Sequence, residues 1–184
     1  MSKPAVLTMC PQNRQQWREW LHAHHDQHPA VWLVYYKKTS TTPTLTWSEA
    51  VDEALCFGWI DSQAKPLDTE RYQQFFSRRK LSSGWSKVNK EKVQRLLAAG
   101  LILPAGLASI KIAQKNGSWA LLDEVEELRL PADLELAFAQ RPASYAHFLS
   151  LSRTAKRNLL LRLVLVKQSA TRQRHITAIL ELGG

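Results

Sequence analysis

Strand-type sequence patterns are confined to the first 80 residues of this chain, and none occurs from Pro131 onward. The segment 30–38 (AVWLVYYKK) is dense in β-branched and aromatic residues, which predicts a buried strand. Segments 59–65 and 71–79 are predicted as two further strands, joined by a turn around residues 66–68. An antiparallel pair is the simplest arrangement for strands so close in sequence. The sheet is therefore expected in the N-terminal part of the fold.

Helical periodicity accounts for most of the remaining sequence. Thr46 and Glu49 fit a capping box, which predicts a helix running to about Phe57. Ser152 and Ser169 are the expected N-caps of the last two helices. The predicted helices cover residues 13–25, 46–57, 85–99, a short stretch from Pro104, 132–140, 143–149, 153–167 and 170–182.

These elements predict an α+β fold. Residues 1–128 are expected to form a lobe with a small antiparallel sheet and helices, and residues 129–184 an all-helical C-terminal lobe. A chain of 184 residues is within the usual size of one domain, so the two lobes are predicted to form one compact unit. The sequence predicts no oligomeric state.

Charge is unevenly distributed along the chain. The net charge is +9, and residues 71–95 and 141–184 each carry 8 basic groups and 1 acidic group. Such blocks suit an anionic partner, although a solvated surface would give the same pattern. The longest apolar runs are too short to span a membrane, and residues 1–10 do not resemble a signal peptide. We therefore expect a cytoplasmic protein in which Cys10 and Cys56 are reduced.

A predicted anion-binding site follows the second strand of the hairpin. Arg78, Arg79 and Lys80 end that strand, and the first turn of the next predicted helix follows them. Free amides at a helix N-terminus and arginine side chains both favour a carboxylate or phosphate. A plain capped helix with exposed charges would look the same in sequence. Nearby tryptophans would supply apolar walls, so we predict that a small anionic ligand is bound by Trp59, Asp61, Arg78, Lys80, Trp85, Ser86 and Asn89.

A catalytic site is the alternative for the preceding helix and strand. Glu49, Glu53 and Cys56 share one helix face, and Asp61 follows in the next strand, so a carboxylate pair of Asp61 and Glu53 could act as acid and base. Glu49 already has a capping role, and Asp52 and Glu53 are equally consistent with solvated charges. Cys56 lies near the C-terminal end of its helix, where the dipole disfavours a thiolate. We predict an inert, buried thiol and assign no catalytic residue.

Four histidines near residue 25 suggest a metal cluster. Only His22 with His25, or His24 with His28, have the spacing that places two ligands on one helix face, and Pro29 is expected to end the helix there. We therefore predict no metal and no cofactor.

Nucleic-acid binding through the C-terminal helices is a further alternative. Arginine and lysine side chains that neutralise phosphates would give an affinity that falls as salt is added. Solvated helices would carry the same charges. The basic residues in question are Arg153, Lys156, Arg157, Arg162, Lys167, Arg172 and Arg174.

Several motifs resemble the YdeI/OmpD-associated (bacteriocin-protection) family. They are YYKK at residues 35–38, TWSEAVDEALCFGWIDS at 46–62, FSRRKLSSGWSKVNKEKVQRLLAAG at 76–100 and PAG at 104–106. The pattern A-K-x-x-x-T-R-x-R of the family's last helices is matched at Lys167, Thr171, Arg172 and Arg174. The chain departs from the family at residues 163–166, which are LVLV rather than aromatic residues and Ala, and at Ser62, where Gly is common.

The resemblance implies a role in bacteriocin protection or stress resistance. It also implies a link to an outer-membrane porin, which is hard to reconcile with a chain that shows no signal peptide. The family provides no established catalytic residues, so none is transferred to this chain.

Overall fold

The structure is a computed structural model that describes residues 6–42 and 44–183. Residues 1–5, half of the segment considered for a signal peptide, lie outside the described residues. The four strands are β1 (Leu7–Met9), β2 (Ala30–Tyr36), β3 (Trp59–Pro66) and β4 (Arg71–Arg78). They form one sheet in the order β1-β2-β4-β3. The α+β class is confirmed.

The three predicted strands are present, and β1 is an addition that the sequence did not reveal. β1 pairs with β2 in parallel, whereas β4 pairs with both β2 and β3 in antiparallel fashion. Parallel neighbours require a crossover connection, and the first helix provides it. In β3 the register shifts between Asp61 and Ala64, which is a β-bulge.

The predicted helices are present with differences at several ends, and the four-residue helix Asp123–Glu126 was not predicted. The helix predicted from Trp85 begins at Lys87, and the stretch from Pro104 is a full helix rather than a short one. Ser152 accepts a hydrogen bond from the amide of Ala155, as predicted for an N-cap, but the cap of the last helix is Gln168 and not Ser169. The helices are α1 (Arg14–His24), α2 (Trp47–Cys56), α3 (Lys87–Ala98), α4 (Pro104–Lys115), α5 (Asp123–Glu126), α6 (Ala132–Ala139), α7 (Pro142–Ser150), α8 (Arg153–Leu165) and α9 (Ser169–Glu181).

The chain divides into two compact units. Unit 1 contains residues 1–83 and 88–116, and unit 2 contains residues 84–87 and 117–184. All four strands belong to unit 1, and the helices from α5 onward belong to unit 2. The predicted boundary near residue 128 and the predicted single compact unit stay predictions.

The core of unit 1 lies between one face of the sheet and its helices. Trp17 of α1 is fully buried, packs edge-on against Phe76 of β4 and donates a hydrogen bond to the carbonyl of Ala50 in α2. These contacts fix α1 against both the sheet and α2. Other buried members are Leu21, Val31, Leu33, Tyr35, Leu55 and Trp59.

The core of unit 2 is built from helices alone. Its buried residues come from α5 to α9, and the rings of Phe138 and Phe148 pack 5.3 Å apart. Trp85 is 1% exposed and packs 4.9 Å from Trp119, which explains why the short segment 84–87 groups with this unit. The remaining buried core residues are Val125, Leu134, Leu160, Leu163, Ile176 and Ile179.

Two glycines position α4 against the end of α2. A Cβ on Gly106 would lie 2.5 Å from the carbonyl oxygen of Cys56, so only glycine permits this approach. Gly58 has φ +74, and a Cβ there would lie 2.9 Å from the carbonyl oxygen of Ala105. The amide of Leu103 also donates to the Cys56 carbonyl, at 3.0 Å. The glycines of the FGW and PAG motifs therefore bring α4 to the turn that leads into β3.

Candidate functional site

The capping box of α2 fixes the element that leads to the site. The amide and hydroxyl of Thr46 both donate to the Glu49 carboxylate, and the amide of Glu49 donates to the Thr46 hydroxyl. These bonds lower the pKa of Glu49. The predicted capping role is confirmed, so Glu49 is committed to the start of α2.

A cleft opens at the other end of α2. It has a volume of 280 Å³ and lies where the end of α1, the α2–β3 turn, the end of β4 and one face of α4 meet. We call it the arginine cleft. Its lining residues are His25, Asp26, Phe57, Gly58, Trp59, Arg78, Arg79, Leu81, Ala105, Ala108, Ser109 and Ile112.

Arg78 connects the sheet with the end of α1. Its guanidinium donates to the carbonyl of His25 at 3.0 Å and also to the carbonyl of Asp26. The side chain is exposed although these bonds hold it. These two bonds fix the guanidinium in place, and its remaining N–H groups can donate to an anion. Because the side chain is already fixed, it loses little conformational entropy when it binds one.

Arg79 is the buried arginine of the cleft, with 9% of its surface exposed. Its amide donates to the carbonyl of Gly58 at 2.9 Å, which ties the end of β4 to the α2–β3 turn. Burial lowers the pKa of the guanidinium to about 10, and the negative charge of Asp61 offsets only part of that effect. An anion in the cleft would favour the charged form of this arginine.

Trp59 supplies an apolar wall and is 1% exposed. Its indole NH donates to the carbonyl of His25 at 3.2 Å, and its ring packs edge-on against Trp20. Of the seven predicted ligand-binding residues, Trp59 and Arg78 line the arginine cleft. Arg79, considered in the sequence but not chosen, lines it as well.

Asp61 lies on β3 and is bound to two neighbours. Its carboxylate accepts hydrogen bonds from the indole NH of Trp47 at 2.9 Å and from the side-chain amide of Gln74 at 3.0 Å. The register pairs Asp61 with Phe76 and Trp59 with Arg78, which places Asp61 and Trp59 on the same face, as predicted from strand alternation.

The other predicted ligand residues fall in different places. Lys80 is exposed and directly follows Arg79, and Asn89 lies in α3 within unit 1. Trp85 and Ser86 precede α3 and group with unit 2.

Glu53, which was considered for catalysis, and its neighbour Asp52 are buried and bound to basic side chains. Glu53 is 1% exposed and accepts hydrogen bonds from Arg14 and, at 2.6 Å, from Arg18. Asp52 is 5% exposed and binds two cations of α3, Lys92 at 2.7 Å and Arg95 at 2.6 Å. The expectation of solvated charges is therefore wrong for both. Both carboxylates hold helices of unit 1 together.

Cys56 is fully buried, as predicted. Burial, followed by the negative charge of Glu53, raises the pKa of this thiol to about 11. A thiol of that kind is protonated at neutral pH and is a poor nucleophile.

Two arginines of the C-terminal helices are bound to carboxylates within unit 2. Arg157 donates two hydrogen bonds to Glu126, and Arg172 donates two to Asp133 and one to the carbonyl of Leu163. Nucleic-acid binding through these helices stays a prediction. The exposed cations of the predicted set are Arg153, Arg162, Lys167 and Arg174.

Comparison with known families gives two matches. A model described as a domain of unknown function (DUF8412) matches residues 9–109, which is more than half of the chain and includes nearly all of the arginine cleft. The chain belongs to this family. A second model, described as "Bacteriocin-protection, YdeI or OmpD-Associated", matches residues 127–182.

The second match confirms the resemblance drawn from the sequence. It covers the C-terminal helices, whereas all four motifs between Tyr35 and Gly106 fall within the DUF8412 match. No curated protein and no solved structure matches the chain.

Within residues 6–42 and 44–183, no group of three or more His, Cys, Asp or Glu side chains could hold one metal ion. Among the same residues, no helix combines the length and the apolar character that crossing a bilayer requires.

Like His25, Asp26 and Leu81, the residues of α4 are cleft residues that the sequence did not predict. Ala105, Ala108, Ser109 and Ile112 follow helical spacing and form one wall of the cleft. Their side chains carry no chemical signature. The available signal is the glycine at 106, which indicates close packing of this helix against another backbone.

Proposed function

We propose that this protein binds a small anionic molecule in the arginine cleft. The observation that carries the proposal is that consecutive arginines, Arg78 and Arg79, line a 280 Å³ cleft beside the aromatic side chains of Phe57 and Trp59. Adjacent residues of a regular strand point to opposite faces, so both reach one cleft only because β4 ends at Arg78.

The lining suggests the chemistry of the ligand. Arginine donors suit a carboxylate or phosphate, and the aromatic and aliphatic walls suit an uncharged organic body. Asp26 also lines the cleft and would repel further negative charge. We therefore propose a ligand with one anionic group, near Arg78 and Arg79, and an apolar remainder against Trp59.

The other predicted residues take different parts in this proposal. Lys80, exposed directly after Arg79, would add positive charge at the rim, and Asp61 would orient Arg79 through its charge. Trp85, Ser86 and Asn89 stay predictions. We propose that such binding, in the cytoplasm, underlies the bacteriocin protection or stress resistance that the second family's description suggests.

Three probes that separate the anionic group from the aromatic ring test the proposal. Phenyl phosphate carries both the anion and the ring, inorganic phosphate lacks the ring, and phenol lacks the anion. Calorimetric titration should show the tightest binding for phenyl phosphate. Equal binding of phenol and phenyl phosphate would contradict an anion site, because only the arginines distinguish the two.

Variants at one position then locate the binding. Arg78→Met should weaken the binding of phenyl phosphate by at least about tenfold, since a hydrogen bond to a charged group contributes about 1.5–3 kcal/mol. Arg78→Lys should recover part of the loss. Lys111→Met removes the same charge from an exposed position of α4 outside the cleft lining and should leave the affinity unchanged. If Arg78→Met and Lys111→Met behave alike, the ligand binds elsewhere.

A further inference from the structure

The C-terminal end of α1 carries two histidine rings beside a tryptophan. The ring centroids of His24 and His28 are 5.6 Å apart, and the Trp20 ring lies 5.0 Å from the first and 6.0 Å from the second. All three side chains are half-buried. The helix ends at His24, yet the amide of His28 still donates to the carbonyl of His24 at 3.0 Å. One more helical turn therefore brings His28 onto the face of His24, ahead of Pro29.

The hydrogen bond of His24 fixes which ring nitrogen is available. Its Nδ1 lies 2.9 Å from the carbonyl oxygen of Trp20. A carbonyl only accepts, so Nδ1 carries the hydrogen and Nε2 keeps a lone pair. Histidines that bind metal ions are commonly oriented in this way, with the second ring nitrogen donating to a carbonyl or carboxylate.

The separation of the two rings suits one shared ion. Imidazole nitrogens bind zinc at about 2.0–2.1 Å, and two imidazoles on a tetrahedral ion then have ring centroids roughly 5 Å apart. The observed 5.6 Å is close enough for small side-chain rotations to close the gap. His22 and His25, the other pair with helical spacing, have no such ring contact with each other: their rings pack separately against Phe57.

We propose that His24 and His28 form a binding site for a divalent late transition-metal ion. In the described part of the chain no third protein ligand joins them, so water would complete the coordination and the ion would exchange readily. Two neutral imidazoles favour such ions over Mg²⁺ or Ca²⁺, in the general order Cu²⁺ over Ni²⁺ and Zn²⁺. This site is independent of the arginine cleft and of its proposed ligand.

Titration with NiCl₂ tests this site in the full chain. Calorimetry measures affinity and stoichiometry, and tryptophan fluorescence reports on an ion beside Trp20. We expect one ion to bind and part of the fluorescence to be lost. His24→Gln and His28→Gln should each weaken binding by at least about tenfold, because the second ligand of a chelating pair acts at a high effective concentration. His22→Gln, an exposed histidine on another face of α1, should change nothing.

A second variant separates the ion site from a change in folding. Trp20→Phe keeps both histidines, so nickel should bind as before while the fluorescence change is largely lost. Cys10, an exposed thiol able to bind nickel, is present in every variant and cancels in the comparison. The proposal is overturned if the wild-type protein binds no nickel at millimolar concentration. It is equally overturned if the three histidine variants bind alike.

Discussion

The carboxylates that form ion pairs between helices are more buried in unit 1 than in unit 2. In unit 1 the side chains of Glu53 and Asp52 are 2% and 8% exposed, and each holds cations from another helix. In unit 2 the paired carboxylates of Glu126 and Asp133 are 18% and 44% exposed. Because solvent screens a charge pair, the same chemistry has a large effect in unit 1 and a small one in unit 2. Besides its apolar core, unit 1 has buried charge pairs at its helix contacts, whereas the corresponding pairs of unit 2 lie closer to solvent.

Removing the most buried charge should produce the largest effect. Glu53→Gln leaves Arg14 and Arg18 without their shared counter-charge, and breaking a buried pair costs about 3–5 kcal/mol. Urea unfolding measures the change in free energy. Glu19→Gln is the control, because Glu19 is an exposed carboxylate of α1 that accepts its hydrogen bond from a neighbouring glutamine. A loss below 1 kcal/mol at Glu53 would remove the distinction between the two units.

Glycine substitutions compare the packing of the two units. Gly106→Ala would bring a Cβ within 2.5 Å of a backbone oxygen, whereas Gly84→Ala in unit 2 would meet the side chain of Leu122 at 2.8 Å. A side chain can rotate away and a backbone carbonyl cannot. We expect Gly106→Ala to cost at least about 1–3 kcal/mol, although alanine favours helices, and Gly84→Ala to cost less. Thermal unfolding of both variants measures the two losses of stability. Equal losses would show that backbone contact does not set the cost.

Acid should destabilise the protein partly through Asp52. Burial alone would raise the pKa of Asp52, but hydrogen bonds from Lys92 and Arg95 outweigh it, so the pKa is lowered. The paired carboxylate stabilises the fold above its unfolded-state pKa of about 3.9, and this contribution is lost as the pH falls through the lower folded-state pKa. Asp52→Asn should therefore show a smaller fall in urea midpoint between about pH 5 and pH 2 than the wild-type protein. Parallel pH profiles would contradict the role of this pair.

The smallest effect is expected at the pair of Asp133 and Arg172, which joins two helices of unit 2 and has a carboxylate 44% exposed. Asp133→Asn removes the partner of Arg172, but solvent already screens this carboxylate, so the loss should be below about 1 kcal/mol. Arg172 retains its hydrogen bond to the carbonyl of Leu163. Urea unfolding of this variant beside Glu53→Gln gives the direct comparison. A loss as large as that of Glu53→Gln would show that exposure does not govern these pairs.

Features set by neighbours in sequence could be predicted. The Thr46 capping box is present, and it could be predicted because its donors and acceptors lie within three residues of one another. The strand of segment 30–38 is confirmed because its composition leaves little alternative. In contrast, β1 has three partly exposed residues, and α5 has four residues, so neither has enough periodicity to be detected.

Features set by distant partners could not be predicted. Asp52 reads as a solvated charge until Lys92, forty positions later, is found beside it. In the site, Trp59 and Arg78 were predicted because their types suggest chemistry, whereas the alanines of α4 are recognised only once the helix is in place. Trp85 shows the opposite error: a helical pattern placed it in α3, but it lies before the first residue of that helix and packs against Trp119.

The position of Trp85 has a consequence for biosynthesis. Its partner Trp119 leaves the ribosome later, after the last residues of unit 1, so the growing chain can complete its sheet before the two rings can meet. Apolar surface that a later residue has still to cover attracts chaperones and promotes self-association. A chain terminated after Asn116 lacks Trp119, so we expect it to expose more of Trp85 and to aggregate at concentrations where the complete chain stays dispersed.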